Sequence, residues 1–174
     1  MEATVLARAI RHSMMWHARF PTKPGKAFRG GHDEERTWTP YGIHPTWAAM
    51  TILHERGLSQ NIRTDGAMAL LYHDVLEDTT RSLPRDMPKR VRELVEAMTF
   101  ESFGQETELL WQRAPVVRLL KAYDKVSNWM DGTWMYPDRR VVHRAHLKRV
   151  TDDVEQNFGL LNIVRMARAL LEGP

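Results

Sequence analysis

A histidine and an aspartate, His73-Asp74, interrupt an apolar run. An acidic pair, Glu77-Asp78, follows one helical turn later in Leu70-Leu71-Tyr72-His73-Asp74-Val75-Leu76-Glu77-Asp78-Thr79. Charged groups in apolar surroundings need a partner or an ion. Residues three and four positions apart share a helix face, so this segment offers a metal site and candidate proton-transfer groups together. Upstream stands Thr39-Pro40-Tyr41-Gly42-Ile43-His44-Pro45, and downstream Lys121-Ala122-Tyr123-Asp124-Lys125-Val126-Ser127-Asn128, where Asp124 breaks another apolar helical run. The candidate ligands are therefore His44, His73, Asp74 and Asp124. Imidazole nitrogen and carboxylate oxygen suit a divalent ion such as Mn²⁺, Fe²⁺, Co²⁺ or Zn²⁺. Four protein ligands leave room on a five- or six-coordinate ion for water and a phosphate oxygen. Such an ion eases the ionisation of water and neutralises phosphoryl charge. The chemistry indicated is attack on a phosphate ester or anhydride.

The other histidines considered, His12, His17, His32, His143 and His146, are read as non-ligands. His143 and His146 share a face, but no acidic residue stands at the matching position of their helix.

The elements that must hold these groups read as helices. Apolar spacing predicts a helix over 2–19, with Val5, Leu6, Ala9, Ile10 and Met14 on one face. Residues 20–40 form a long basic loop marked by Pro21, Pro24, Gly25, Gly30, Gly31 and Pro40. Helices follow over 44–56, from about Asp65 to Glu77, after Pro88, over 106–112 and from Pro115 to about Met130. Two C-terminal helices occupy 131–174, the first starting at Pro137 and running to about Phe158. No segment alternates with period two. The expected fold is all-α, a helical bundle in one domain covering 1–174.

Composition is that of a soluble globular domain: 174 residues, 43% hydrophobic and 27% charged. Twenty-five basic less 22 acidic side chains leaves +3, too small an excess to point to nucleic acid. The lack of cysteine excludes disulfides, thiolate zinc sites and a cysteine nucleophile. No apolar stretch approaches a membrane span and no signal peptide is evident, so a cytoplasmic location is expected. Six tryptophans and ten methionines fit an aromatic-rich helical core.

The three motifs together resemble the HD-type hydrolase domain of the RelA/SpoT family, and most closely its stand-alone small alarmone hydrolases. Thr39–Pro45 is similar to the family's Thr-Pro-Tyr-x-x-His-Pro run, His73–Thr79 to His-Asp-x-x-Glu-Asp-Thr, and Lys121–Asn128 to Lys-x-x-Asp-Lys/Arg-x-x-Asn. Val95–Thr99 adds a fourth likeness, and the resemblance covers about residues 5–130. It implies an all-helical HD fold and removal of the 3′-pyrophosphate of (p)ppGpp, usually with Mn²⁺. His44, His73, Asp74 and Asp124 would hold the metal. Glu77 and Asp78 would orient or deprotonate water, and Asn128 would hydrogen-bond in the site.

The chain also departs from the family. Its compact His-x-x-Gln-x-Arg-Lys segment is replaced by His12–Arg19, without glutamine, and the long loop. Candidate substrate-gripping cations are Arg19, Lys23, Lys26, Arg29 and Arg36, with Lys125 inside the third motif. Tyr123 and Trp129 are bulkier than the family's usual residues there and imply a reshaped pocket. The alternatives are an HD-type 5′-nucleotidase or a deoxynucleoside triphosphate hydrolase. A binding module for nucleic acid or protein, built on the basic 138–149 stretch, is the third reading. A nucleotide is the expected partner, and a homo-oligomer is compatible with the sequence.

Overall fold

The computed structural model describes residues 2–30, 38–130, 135 and 137–173. Helix α1, Ala3–Arg19, buries Ala9, Ser13, Trp16 and His17, a stripe at helical spacing. Two three-residue strands, β1 (Phe28–Gly30) and β2 (Trp38–Pro40), pair antiparallel with Arg29 opposite Thr39. This small hairpin lies within the stretch expected to be loop. Strands so short carry too few residues to show alternation in sequence.

Helix α2, Ile43–Leu53, has Pro45 in its first turn, where its missing N–H costs nothing. Helix α3, Gln60–Tyr72, starts earlier than expected: Ser59 caps it, accepting from the Ile62 N–H at 3.4 Å. The expected single helix to Glu77 is broken. Tyr72 ends α3, His73 and Asp74 form a turn, and α4 is one short turn, Val75–Asp78. Thr79 Oγ1 bonds the Val75 carbonyl at 2.8 Å and helps close it. Strand-like contacts tie this end to the end of α1: the Thr22 N–H donates to Asp78 O at 2.9 Å and the Thr80 N–H to Phe20 O at 2.8 Å.

Helices α5 (Lys89–Met98) and α6 (Phe103–Leu109) lead to α7, Pro115–Met130. Nine consecutive residues of α7, Leu119–Ser127, are buried, which marks it as the central helix of the bundle. Helices α8 (Pro137–Phe158) and α9 (Asn162–Glu172) pack outside it. The Glu55 carboxylate lies at the start of α9, accepting from the Asn162 N–H at 2.8 Å. It also accepts from the Tyr123 hydroxyl at 3.4 Å.

Two glycines set the approach of the helices that carry the motifs. A β-carbon on Gly66 of α3 would lie 2.8 Å from Ile52 Cδ1 of α2 and 2.9 Å from Leu120 Cδ2 of α7. One on Gly42 would lie 2.6 Å from the Met14 Cα of α1. The all-α architecture thus agrees with the sequence, and its core lies where α2, α3 and α7 meet.

Candidate functional site

His44 enters from the first turn of α2, His73 and Asp74 from the turn between α3 and α4, and Asp124 from the middle of α7. All four are buried. The His44 and His73 Nε2 atoms are 3.3 Å apart. Asp124 Oδ1 lies 3.3 Å from the first and 3.6 Å from the second. His44, His73 and Asp124 form the tight three-ligand group among the described residues. Asp74 flanks it, with Oδ2 at 3.1 Å from His73 Nε2 and 3.6 Å from His44 Nε2.

The far side of each imidazole is anchored. His44 Nδ1 bonds Ser127 Oγ at 2.8 Å, and His73 Nδ1 bonds the Leu70 carbonyl at 2.7 Å. Anchored Nδ1 atoms fix the ring orientation and turn both Nε2 atoms inward, the usual outer support of metal-binding histidines. The Tyr41 hydroxyl donates to Asp74 Oδ2 at 2.8 Å. Two inward imidazole nitrogens with two carboxylates fit a divalent cation.

The electrostatics fit the same use. Burial pushes His73 down, but Asp74 and Asp124 reverse this and hold it up at about 10. Burial, with the Arg29 guanidinium, pushes His44 down to about 4. Burial also raises Asp124, yet the Lys125 and Lys121 ammoniums hold it well below the usual carboxylate range. Asp124 is therefore an anionic donor.

The expected catalytic residues border this group. Burial first, then the Asp74 charge, pushes Glu77 up to about 7, while its Oε1 accepts the Phe100 N–H at 2.9 Å. Asp78 is buried and paired with Lys26 Nζ at 2.7 Å. Asn128 Nδ2 donates to Asp124 Oδ1 at 2.6 Å, and its Oδ1 accepts from Arg29 Nη2.

These groups line one cavity of about 1050 Å³, at the upper end for small-molecule sites. Lys23, Lys26 and Arg29 line it, as do the aromatic rings of Phe28, Trp38 and Phe103. Arg29 is buried over the Tyr41 ring at 5.4 Å. Arg19 is exposed at the end of α1 and is not among the lining residues. Arg36 lies outside the described residues.

Lys125 also lines the cavity, and its ammonium pairs with Glu106 at 2.8 Å and Asp124 at 3.1 Å. Tyr123 is fully buried on Glu55, and Trp129 carries the Arg140 guanidinium at 5.4 Å. Neither ring lines the cavity, so neither reshapes it. His146 meets an acidic group outside its own helix, Glu106 Oε1 at 2.9 Å. It comes from α6, which no helical spacing within α8 could reveal.

Tyr41, Ser127, Lys121 and Glu106 are supporting residues that the motifs left without a role. Tyr41, Ser127 and Lys121 stand inside quoted motifs, and their neighbourhood to ligands was the available signal. Glu106 had none beyond its charge.

No family model matches the chain. It is 32% identical over 117 residues to the mouse guanosine-3′,5′-bis(diphosphate) 3′-pyrophosphohydrolase MESH1 and 30% identical to the human protein of that name. Both alignments cover 62% of this chain, and the chain spans 64% of each relative's length. Its fold matches the solved structure of a metazoan ortholog of SpoT that hydrolyzes ppGpp and plays a role in starvation responses. The TM-score is 0.70 at 19% identity, over 98% of this chain and 95% of that one. The likeness in sequence thus extends over 117 residues, and the likeness in helical fold over nearly the whole chain.

Proposed function

We propose that the chain is a divalent-metal-dependent phosphohydrolase that removes the 3′-pyrophosphate of (p)ppGpp-like nucleotides. The observation that carries this reading is the convergence of His44, His73, Asp74 and Asp124 at a cavity edged by lysine, arginine and aromatic rings. The mouse and human relatives bear the name of that activity, and the quoted motifs agree with it.

The four ligand residues would hold one metal ion, Mn²⁺ being the preferred choice. When bound, that ion supplies positive charge for the phosphoryl oxygens and lowers the pKa of water. The protein supplies the rest. Lys23, Lys26 and Arg29 offer cations for the diphosphate oxygens, and Arg29 in turn aligns Asn128. Glu77, raised towards neutrality, takes the proton of the attacking water. The water oxygen forms a bond to the phosphorus next to the ribose 3′-oxygen. The bond from that phosphorus to the 3′-oxygen breaks, the 3′-oxygen gains a proton, and pyrophosphate leaves with GDP or GTP. Asp78 holds Lys26 at the cavity wall by its 2.7 Å ion pair.

A nucleic-acid role for α8 is not favoured, because most of its cations are engaged within the molecule. Arg149 covers the Trp111 ring at 3.7 Å, Arg140 covers Trp129, and Lys148 pairs with Asp152 at 2.7 Å.

The test is the purified chain with Mn²⁺, given ppGpp, pppGpp, deoxynucleoside and nucleoside triphosphates and monophosphates, with products resolved by anion exchange. Pyrophosphate released together with GDP or GTP is expected. Cleavage of ordinary nucleotides alone would assign the site to the 5′-nucleotidase or triphosphohydrolase class instead.

A further inference from the structure

Behind the ligand Asp124 lies a closed group of buried charges from three helices. Asp124 divides its two oxygens. Oδ1 faces His44 and His73 and accepts from Asn128. Oδ2 accepts from Lys121 Nζ and Lys125 Nζ, each at 3.1 Å. Both ammoniums also reach Glu106 of α6, Lys121 at 2.9 Å and Lys125 at 2.8 Å. His146 of α8 completes the group, its Nε2 lying 2.9 Å from Glu106 Oε1. Glu106, Lys121, Asp124, Lys125 and His146 are all buried. Two carboxylates and two ammoniums alternate around a square, so the group is neutral before a metal arrives.

That balance matters to a cation. Two buried ammoniums on one side of an anionic ligand oppose a dication on the other, and in a poorly solvated interior the opposition is weakly screened. Glu106 offsets one of those charges. It also fixes where the ammoniums stand, and through them which oxygen of Asp124 is left for the metal pocket. Outer groups that orient a ligand commonly change metal affinity by about 10- to 100-fold when removed.

We infer that Glu106, held by His146, is a positioning residue for the metal ligand Asp124, acting through Lys121 and Lys125 to preserve that ligand's aim and negative charge. The inference rests on the proposed metal site. It gives α6 and α8 a role in the site, although α8 lies beyond the stretch that carries the motifs.

The experiment is Mn²⁺ titration of the metal-stripped full chain, followed by the loss of the free-ion paramagnetic resonance signal. It compares the unsubstituted chain with Glu106→Gln, with Lys121→Met and with the double substitution. Glu106→Gln should weaken Mn²⁺ binding about tenfold or more. Adding Lys121→Met restores the charge balance and should recover most of that loss, which a purely structural defect would not do. If Glu106→Gln does not fold, Lys121→Met carries the test. By removing an opposing ammonium it should bind Mn²⁺ at least as tightly as the unsubstituted chain, and a tenfold loss there overturns the inference. Unchanged affinity in a folded Glu106→Gln, or a double variant no better than it, overturns the inference alone. No Mn²⁺ binding by the unsubstituted chain overturns the metal site with it.

Discussion

Asp124 is a buried carboxylate and Glu77 a half-buried one, both within the influence of His73, yet their surroundings drive them apart. Two ammoniums keep Asp124 charged, whereas burial and the neighbouring Asp74 charge raise Glu77 to about 7. In the proposed reaction one is a metal ligand and the other exchanges a proton. Asp124→Asn should therefore abolish both Mn²⁺ binding and turnover. Glu77→Gln should keep the metal, measured by the same titration, and lower kcat by a factor on the order of 100 or more. Normal turnover in Glu77→Gln would remove it from the mechanism. The pH profile tests the same assignment. A base acts when deprotonated, and Glu77's pKa is raised, so the rate should climb as pH rises through the neutral range towards a plateau. The positive charge of a bound metal would lower that midpoint. The rising limb should vanish in Glu77→Gln, and a limb that persists there belongs to another group.

Among the helices, the close approach of α1 to the start of α2 is the least forgiving contact. The Met14 Cα stands only 2.6 Å from where a β-carbon of Gly42 would be, and main chain cannot rotate aside as a side-chain end can. Gly42 is flanked by Tyr41, which holds Asp74, and it precedes His44 by two residues. Gly42→Ala should cost about 1–3 kcal/mol by overpacking, read in urea unfolding, and weaken Mn²⁺ binding in the same protein. Full stability would show that α1 yields easily. Helical periodicity located α7 and α8 well, because Pro115 and Pro137 mark their starts and α7 carries a long apolar run. It fails at His73-Asp74, where the apolar pattern runs on although the helix breaks and turns both side chains into the site. The hairpin was illegible for another reason: Phe28–Gly30 and Trp38–Pro40 are each only three residues long. The clustering of His44, His73, Asp74 and Asp124 is legible because each is a charged or imidazole group set in a motif. Their supports, Glu106 and His146, are not, since they meet only through the packing of α6 against α8.

At the scale of the molecule, the proposed ligands come from three parts of the chain: α2, the α3–α4 turn and α7. A metal that binds only the folded arrangement must stabilise the whole chain by mass action. At a free concentration a hundredfold above its Kd the gain is about 2.7 kcal/mol. For a chain of this size that raises Tm by roughly 5–10 °C. The rise should appear when Mn²⁺ is added to the stripped chain, reverse with a chelator, and be absent in Asp124→Asn. It should also grow as pH rises towards about 10, because binding requires a neutral His73 and the carboxylates hold a proton on that ring. Release of that proton accompanies metal entry, so a higher pH favours it. A shift of equal size in Asp124→Asn would mean that Mn²⁺ acts elsewhere on the surface, and a shift independent of pH would mean that His73 gives up no proton when the ion binds.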